Sequence, residues 1–514
     1  METFRPAELI ASFYFERGVS NPDRKVLGPV FEGAKRYRTK SRLWLDLPNR
    51  PSDDTVPSQR LSRLLAAGLG VVRIESHAWP VASRPLWFAR PVPSGGGAYP
   101  YEVYVYVRDA SVAPIGIYHY DVGDHALVPL RIGSFDEAFA AALGSRPHGA
   151  LLLCVSGLLW KNHPKYRAFG YRLVGLDIGV VTGHLHALGQ RLFGSATPGF
   201  LFDDAKLAAL LGLEIDVESV YSTVDVGASI DLSSHRNAAW EDVPASSSPG
   251  LDGPRSEAVK HMHRSSLMKA PVVASELPPA RALPHANSAT IAHHRLPLPR
   301  AYPRALDVFD ALPERGVAGT RFLERAIQVE TLAALLQRVI EPLTSDCRSD
   351  APVFRGVHIG VIVNRVHGVK SGSYFYDADA HALALVRAGD VTSELARLGT
   401  QPVPDLTRTA ACIAIIAETS FHEAVLGLRG YRIQQMEVGI IGQRVDLGAA
   451  ALGIGSHVLC GYFGATCDEL FGLAGSPLST RLIVPVGHVR PRTLELCAAW
   501  RPFAPFLEES HEGD

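Results

Sequence analysis

Lys165 and Tyr166 are the side chains of this sequence best placed to move a proton. Beside a buried segment, desolvation would lower the lysine pKa and make it a usable base, while the phenol donates or relays a proton. The pair opens Lys165-Tyr166-Arg167-Ala168-Phe169-Gly170-Tyr171-Arg172, and the end of this pattern occurs twice. Gly170-Tyr171-Arg172 with Gly179 returns as Gly430-Tyr431-Arg432 with Gly439, at an offset of 260. There the positions of Lys165 and Tyr166 hold Val425 and Leu426, whose side chains have no proton to give. Taken alone, a Lys-Tyr dipeptide is equally a common surface pair.

A second group precedes it. Pro93-Ser94-Gly95-Gly96-Gly97-Ala98-Tyr99-Pro100 leads toward an apparent strand at Glu102, and successive glycines let backbone N–H groups approach a planar or anionic ligand. The same residues also suit a plain turn. Ser349-Asp350-Ala351-Pro352, their later counterpart, lacks the glycines. Arginines show the reverse distribution. Arg315 and Arg321, with Arg490 and Arg492, offer four guanidinium groups that could clamp a phosphate or simply remain solvated, whereas the earlier counterparts hold only Arg50 and Val224-Asp225-Val226-Gly227-Ala228-Ser229.

These groups need two similar scaffolds. Gly116-Ile117-Tyr118-His119-Tyr120-Asp121, with His125 and Gly133, recurs as Gly372-Ser373-Tyr374-Phe375-Tyr376-Asp377, with His381 and Gly389, at an offset of 256. A chain of 514 residues suits two domains of this kind joined by a connector. The boundaries read as domain one at 1–236, a flexible Pro/Ser/His-rich connector at 237–300, domain two at 301–504 and a tail at 505–514. Leu61, Leu64 and Leu65, and later Leu332, Leu335, Leu336 and Val339, have helical spacing. Glu102–Val107, Leu151–Val155, Val357–Val363 and Ile413–Ile416 read as strands, so each half is a mixed α+β unit. The segments after each Gly-Tyr-Arg are apolar on most sides, as expected of helices packed against each other in an intramolecular pseudo-dimer.

The formal net charge of -1 argues against a nucleic-acid partner, and no apolar run approaches the roughly 18 residues of a membrane helix, so a cytoplasmic location is expected. Six scattered cysteines without a Cys-x-x-Cys suggest no zinc site or disulfide framework. No metal is expected, including at the histidines of the connector.

In their order, these motifs resemble the FMN-dependent nitroreductase fold and, within it, the SagB-type dehydrogenases that oxidise thiazolines and oxazolines in ribosomally made peptides. The resemblance rests on Pro93-Ser94-x-Gly before Glu102-Val103-Tyr104-Val105, on Lys165-Tyr166-Arg167 with Gly170-Tyr171-Arg172, and on Ala449-Ala450-Ala451-Leu452-Gly453-Ile454-Gly455-Ser456 followed by Gly461-Tyr462-Phe463. It implies two tandem nitroreductase-like domains taking the place of two subunits, with FMN between them. Pro93, Ser94 and Gly95 would then face Arg315, Arg321, Gly461, Arg490 and Arg492, and the mirror site would be empty. One departure is Ala318-Gly319-Thr320-Arg321, where the family usually carries Arg-Ser-x-Arg. The implied activity is oxidation of an azoline ring in a precursor peptide, with Lys165 and Tyr166 catalytic, dioxygen as final acceptor and a cyclodehydratase as a further partner. Two other functions stay open: NAD(P)H-dependent reduction of dehydroamino acids, nitro compounds or quinones, and a non-catalytic scaffold.

Overall fold

Runs of β-branched and aromatic residues become the strands of two seven-stranded antiparallel sheets. The computed structural model describes residues 35–37, 39, 41–46, 56–75, 87–230, 243–244, 246–247, 256–271, 295–300, 308–314, 321–341, 343–347, 356–400, 404–418 and 423–490. The first sheet contains β1 (Leu43–Trp44), β2 (Tyr101–Val107), β3 (Gly116–Asp121), β4 (Ala126–Ile132), β5 (Leu151–Leu158), β6 (Ala196–Gly199) and β7 (Glu218–Val226), in the order β1-β4-β3-β2-β5-β7-β6. The second contains β8 (Arg295–Pro297), β9 (Val357–Val363), β10 (Gly372–Asp377), β11 (Ala382–Ala388), β12 (Ala411–Glu418), β13 (Gly455–Ser456) and β14 (Leu478–Gly487). Its order is β8-β11-β10-β9-β12-β14-β13, the same plan repeated.

The repeated Tyr-x-Tyr-Asp motif is part of this scaffold. Tyr120 Oη and His125 Nδ1 lie 2.8 Å apart, as do Tyr376 Oη and His381 Nδ1, and both histidines adopt left-handed φ angles of 49° and 46°. Each bond ties the β3–β4 or β10–β11 hairpin to its own strand, so the motif builds the turn and leaves the cleft to other residues.

The helices used below are α1 (Pro57–Leu69), α2 (His163–Tyr166), α3 (Phe169–Phe193), α4 (Asp204–Leu211), α5 (Glu257–Ser265), α6 (Val329–Val339), α7 (Glu423–Leu426), α8 (Leu428–Ala451) and α9 (Gly464–Leu470). Leu61, Leu64 and Leu65 of α1 and Leu332, Leu335 and Leu336 of α6 are buried, as their spacing predicts. The long helices α3 and α8 pack against each other, one from each half. At their crossing a Cβ on Gly179 would run into the Met436 carbonyl, and a Cβ on Gly439 into the Leu176 carbonyl. Gly179 and Gly439 are the two glycines of the repeat, so their spacing encodes the close approach of the two halves. Gly439→Ala is expected to destabilise the protein by about 2–3 kcal/mol because backbone must move. Gly464→Ala, where a Cβ meets nothing within 4 Å, should be neutral. Denaturant midpoints compare the two, and equal midpoints would show the crossing tolerates a methyl group.

Within the 237–300 segment, the described helix α5 docks on domain one. Val259 and Met262, three residues apart on one helix face, are buried in the first core. Ser256 caps the helix through the Val259 N–H at 3.5 Å, and Ser266 Oγ lies 3.1 Å from Tyr171 Oη. Further on, Arg295–Pro297 joins the second sheet against Ala382–Ala384 as β8. Parts of the 237–300 segment therefore belong to both folded halves.

Candidate active site

The Lys-Tyr motif folds as a one-turn helix, α2, followed by a sharp bend into α3. Arg167 makes the bend at φ 54° and ψ -139°; Gly427, 260 positions later, makes the same bend between α7 and α8 at φ 54° and ψ -138°. Domain one thus holds a non-glycine residue in a conformation that glycine adopts more easily. The bend sets α2 across the start of α3, with Lys165 and Tyr166 half-buried. Lys165 Nζ lies 4.8 Å from the Tyr166 ring centroid, a cation–π arrangement that keeps ammonium and phenol together.

The glycine turn lies directly against them. Gly96 and Gly97 have φ angles of 65° and 64°, and a Cβ on Gly96 would collide with both Lys165 Nζ and Tyr166 Oη. The turn and the pair, separate in sequence, are one unit in space.

Asp177 anchors that unit, and sequence reasoning missed it. It is the single acidic residue of the 25-residue helix α3, which was the available signal: a carboxylate on an otherwise buried apolar helix. Ser94 Oγ donates to Asp177 Oδ2 at 2.5 Å, and the Gly95 N–H is shared between the two carboxylate oxygens at 3.0 and 3.1 Å. Burial pushes the Asp177 carboxyl up to about 7, against the opposing pull of these two donors. Behind the turn, Lys161 Nζ donates to the Tyr99 carbonyl at 3.2 Å, and burial pulls it down to about 8.

Domain two supplies the facing wall. A cleft of about 660 Å³ is lined from domain one by Pro93, Ser94, Gly95, Gly96, Lys165 and Tyr166, with Arg172 and Asp177 from α3. Opposite lie Gly439, the His457–Tyr462 segment with Gly461, and residues of α9 and β14. Arg172 crosses between the halves, donating to the Arg481 carbonyl and, at 3.3 Å, to Gln435 Oε1. Gly461 is held by Thr400, whose N–H and hydroxyl both donate to its carbonyl, at 3.2 and 2.8 Å.

The arginines sit elsewhere. Arg321 and Arg490 are neighbours on the domain two backbone: the Arg490 N–H donates to the Arg321 carbonyl at 2.8 Å and Arg321 Nη1 donates to the Arg490 carbonyl at 3.2 Å. They lie past the Gly455–Gly487 strand pair, on the side away from Gly461, and do not line the cleft. Arg315 and Arg492 lie outside the described residues.

The pseudo-symmetric counterpart of Arg172 is tied into an ion-pair cluster. Arg432, the counterpart of Arg172, donates to the Val220 carbonyl at 2.6 Å and to Asp204 at 3.3 Å, with its guanidinium 3.9 Å from the Tyr221 ring centroid. Arg429, the counterpart of Phe169, reaches Asp204 at 2.9 and 3.0 Å and the Phe200 carbonyl at 2.6 Å. Asp346 accepts the Phe200 and Leu201 N–H groups at 2.7–2.8 Å, and burial pushes its carboxyl up to about 6. Two arginines and two aspartates thus cluster around the pseudo-symmetric counterpart of Arg172.

Comparison with known proteins agrees with this architecture. The family model described as Nitroreductase family matches residues 321–488. A Methanocaldococcus jannaschii protein named as a nitroreductase is 30% identical over 134 residues, which is 26% of this chain and 65% of that protein. A crystallised Anabaena variabilis protein bearing the same family name shares 22% identity, covers 94% of this chain and 99% of its own, and superposes with a TM-score of 0.74. A chain of the Escherichia coli McbBCD microcin synthetase complex, at 18% identity, covers 45% of this chain and 84% of its own with a TM-score of 0.27, a likeness that carries no further argument.

Proposed function

From a chain that carries a nitroreductase-family domain at residues 321–488 and follows the nitroreductase fold through both halves, we propose an FMN-dependent dehydrogenase that oxidises thiazoline or oxazoline rings of a peptide to the azole. The observation that carries the reading is the contact of Lys165 Nζ and Tyr166 Oη with the glycine turn, inside a cleft walled by both domains.

The cleft suits a flat, polar heterocycle. Gly95, Gly96, Gly439 and Gly461 are among its lining residues, and His457 Nδ1 on the domain two wall is buried with no hydrogen-bond partner among the described residues. Burial pulls the His457 imidazole down to about 4, so at neutral pH it meets a ligand uncharged. Pro93, Ser94, Gly95 and Gly461 would hold FMN; the resemblance assigns its phosphate to Arg315, Arg321, Arg490 and Arg492, of which Arg321 and Arg490 lie outside the lining of the cleft. FMN would supply the two-electron acceptor. The protein's own contribution is proton transfer and exclusion of water. Lys165, as the neutral amine, takes one proton from an azoline ring carbon, assisted by Tyr166, as the hydrogen on the neighbouring ring atom leaves with its electron pair; a ring double bond forms and the azole is aromatic. Arg172, fixed to Arg481 and Gln435, holds the two walls together during the step. The substrate would be an azoline-bearing precursor peptide, delivered by or together with a cyclodehydratase.

The test is to reconstitute the full chain with FMN, quantify released flavin and incubate the protein with an azoline peptide in air. One FMN per chain and loss of two hydrogens per ring are expected. Two FMN per chain would show that the mirror site also binds. Flavin-bound protein that oxidises NAD(P)H and reduces nitro compounds or quinones but leaves the azoline intact would replace this reading with the reductive one, and no flavin after reconstitution would favour the scaffold.

A further inference from the structure

On the reading that this cleft is the FMN and azoline site, we propose that Asp177 is its positioning residue, holding the Ser94–Gly95 backbone in the register that brings Gly96 beneath Lys165 and Tyr166. Three successive glycines have no side chains to fix their conformation, and Gly96 and Gly97 occupy the left-handed region that glycine enters freely. What fixes them is external. Asp177 takes the Ser94 hydroxyl on one oxygen and the Gly95 N–H on both, and Ser94 Oγ in turn accepts the Tyr99 N–H at 2.8 Å. These bonds seize the turn on both sides of the glycines and tie it to α3, the rigid helix that crosses into domain two. Only a carboxylate can accept at both oxygens while donating nothing; an asparagine there would present an N–H₂ group to one of these donors.

The repeat supports the assignment. At the offset of 260 that relates the two long helices, Asp177 corresponds to Glu437, also a carboxylate and also buried. A carboxylate at this level of the helix is common to both halves, but only domain one retains the glycine turn for it to hold.

A double-mutant cycle with Asp177→Asn, Ser94→Ala and the combined variant tests the clamp by two independent readouts. The first is the FMN dissociation constant from flavin fluorescence, with kcat on the azoline peptide where turnover is present. The second is the rate at which acetic anhydride acetylates Lys165 in the apoprotein, read by peptide mass spectrometry and independent of cofactor and substrate. Asp177→Asn is expected to weaken FMN binding and lower kcat by about tenfold, to change Lys165 acetylation by about threefold, and to make Ser94→Ala cost less in its background than in the wild type, because the two residues share the Ser94–Asp177 bond. An unchanged thermal midpoint for Ser94→Ala separates the effect from misfolding. Strictly additive losses, or unaltered Lys165 reactivity in a folded Asp177→Asn protein, would overturn the assignment. Wild-type protein inactive on azolines, with the acetylation cycle still coupled, would remove the proposed reaction and leave the clamp standing.

Discussion

Lys165→Ala is expected to lower turnover of the proposed azoline substrate by about 10²–10⁴-fold, the range for loss of a positioned proton acceptor. Tyr166→Phe, which removes only an oxygen, is expected to lose about 10–100-fold because the phenol assists a base that is still present. Neither change should reduce FMN content much, since the turn and the domain two wall are left intact. Gly96→Ala is the informative companion. Its Cβ would meet Lys165 Nζ and Tyr166 Oη and has to displace them, so its kcat should fall toward that of Lys165→Ala although no proton-transfer group has been removed. The measurement is kcat on a saturating azoline peptide, with flavin absorbance recorded on the same samples. Lys165→Ala protein that holds FMN and turns over at the wild-type rate would end the catalytic assignment of the pair.

Asp204→Ala should cost about 3–5 kcal/mol of stability, enough to endanger folding at growth temperature. Asp204 is buried between Arg429 and Arg432, bonding the first at 2.9 and 3.0 Å and the second at 3.3 Å, and it also accepts the Met268 N–H at 2.7 Å. Removing the carboxylate leaves two guanidinium groups in a low-dielectric interior with only carbonyls as acceptors, which is far worse than never having buried them. Replacing Asp204, Arg429 and Arg432 together by apolar residues of similar volume should therefore recover most of the loss. Urea midpoints of the single and triple variants test this, and a single-variant shift below about 1 kcal/mol would mean that water reaches the cluster. The cluster links α8 of domain two to α4 and β7 of domain one, so the folded variant should also unfold with less coupling between its halves.

Much of this protein was legible in the chain itself. The offsets of 256 and 260 identified two copies of one unit, the runs at Glu102–Val107 and Val357–Val363 read as strands, and the buried helices after each Gly-Tyr-Arg were apparent from their apolar character. These are local patterns: periodicity, β-branching and turn residues act over a few positions and survive in both copies. The connector helix α5 also has local signals, Ser256 before a Val259–Met262 face, that the surrounding proline and serine content obscured.

Asp177 and the arginine–aspartate cluster belong to another order of information. Asp177 meets Ser94 across 83 positions, and Arg429 meets Asp204 across 225. Nothing local to either residue specifies its partner. That Arg172 lines a cleft, while its counterpart Arg432 sits in a cluster with Arg429, Asp204 and Asp346, was decided only when α3 and α8 crossed at Gly179 and Gly439. Sequence by itself determined the repeated unit and the residue types that each copy keeps. Tertiary packing decided which of them meet, because a buried polar group takes its role from the partners that desolvation forces it to find.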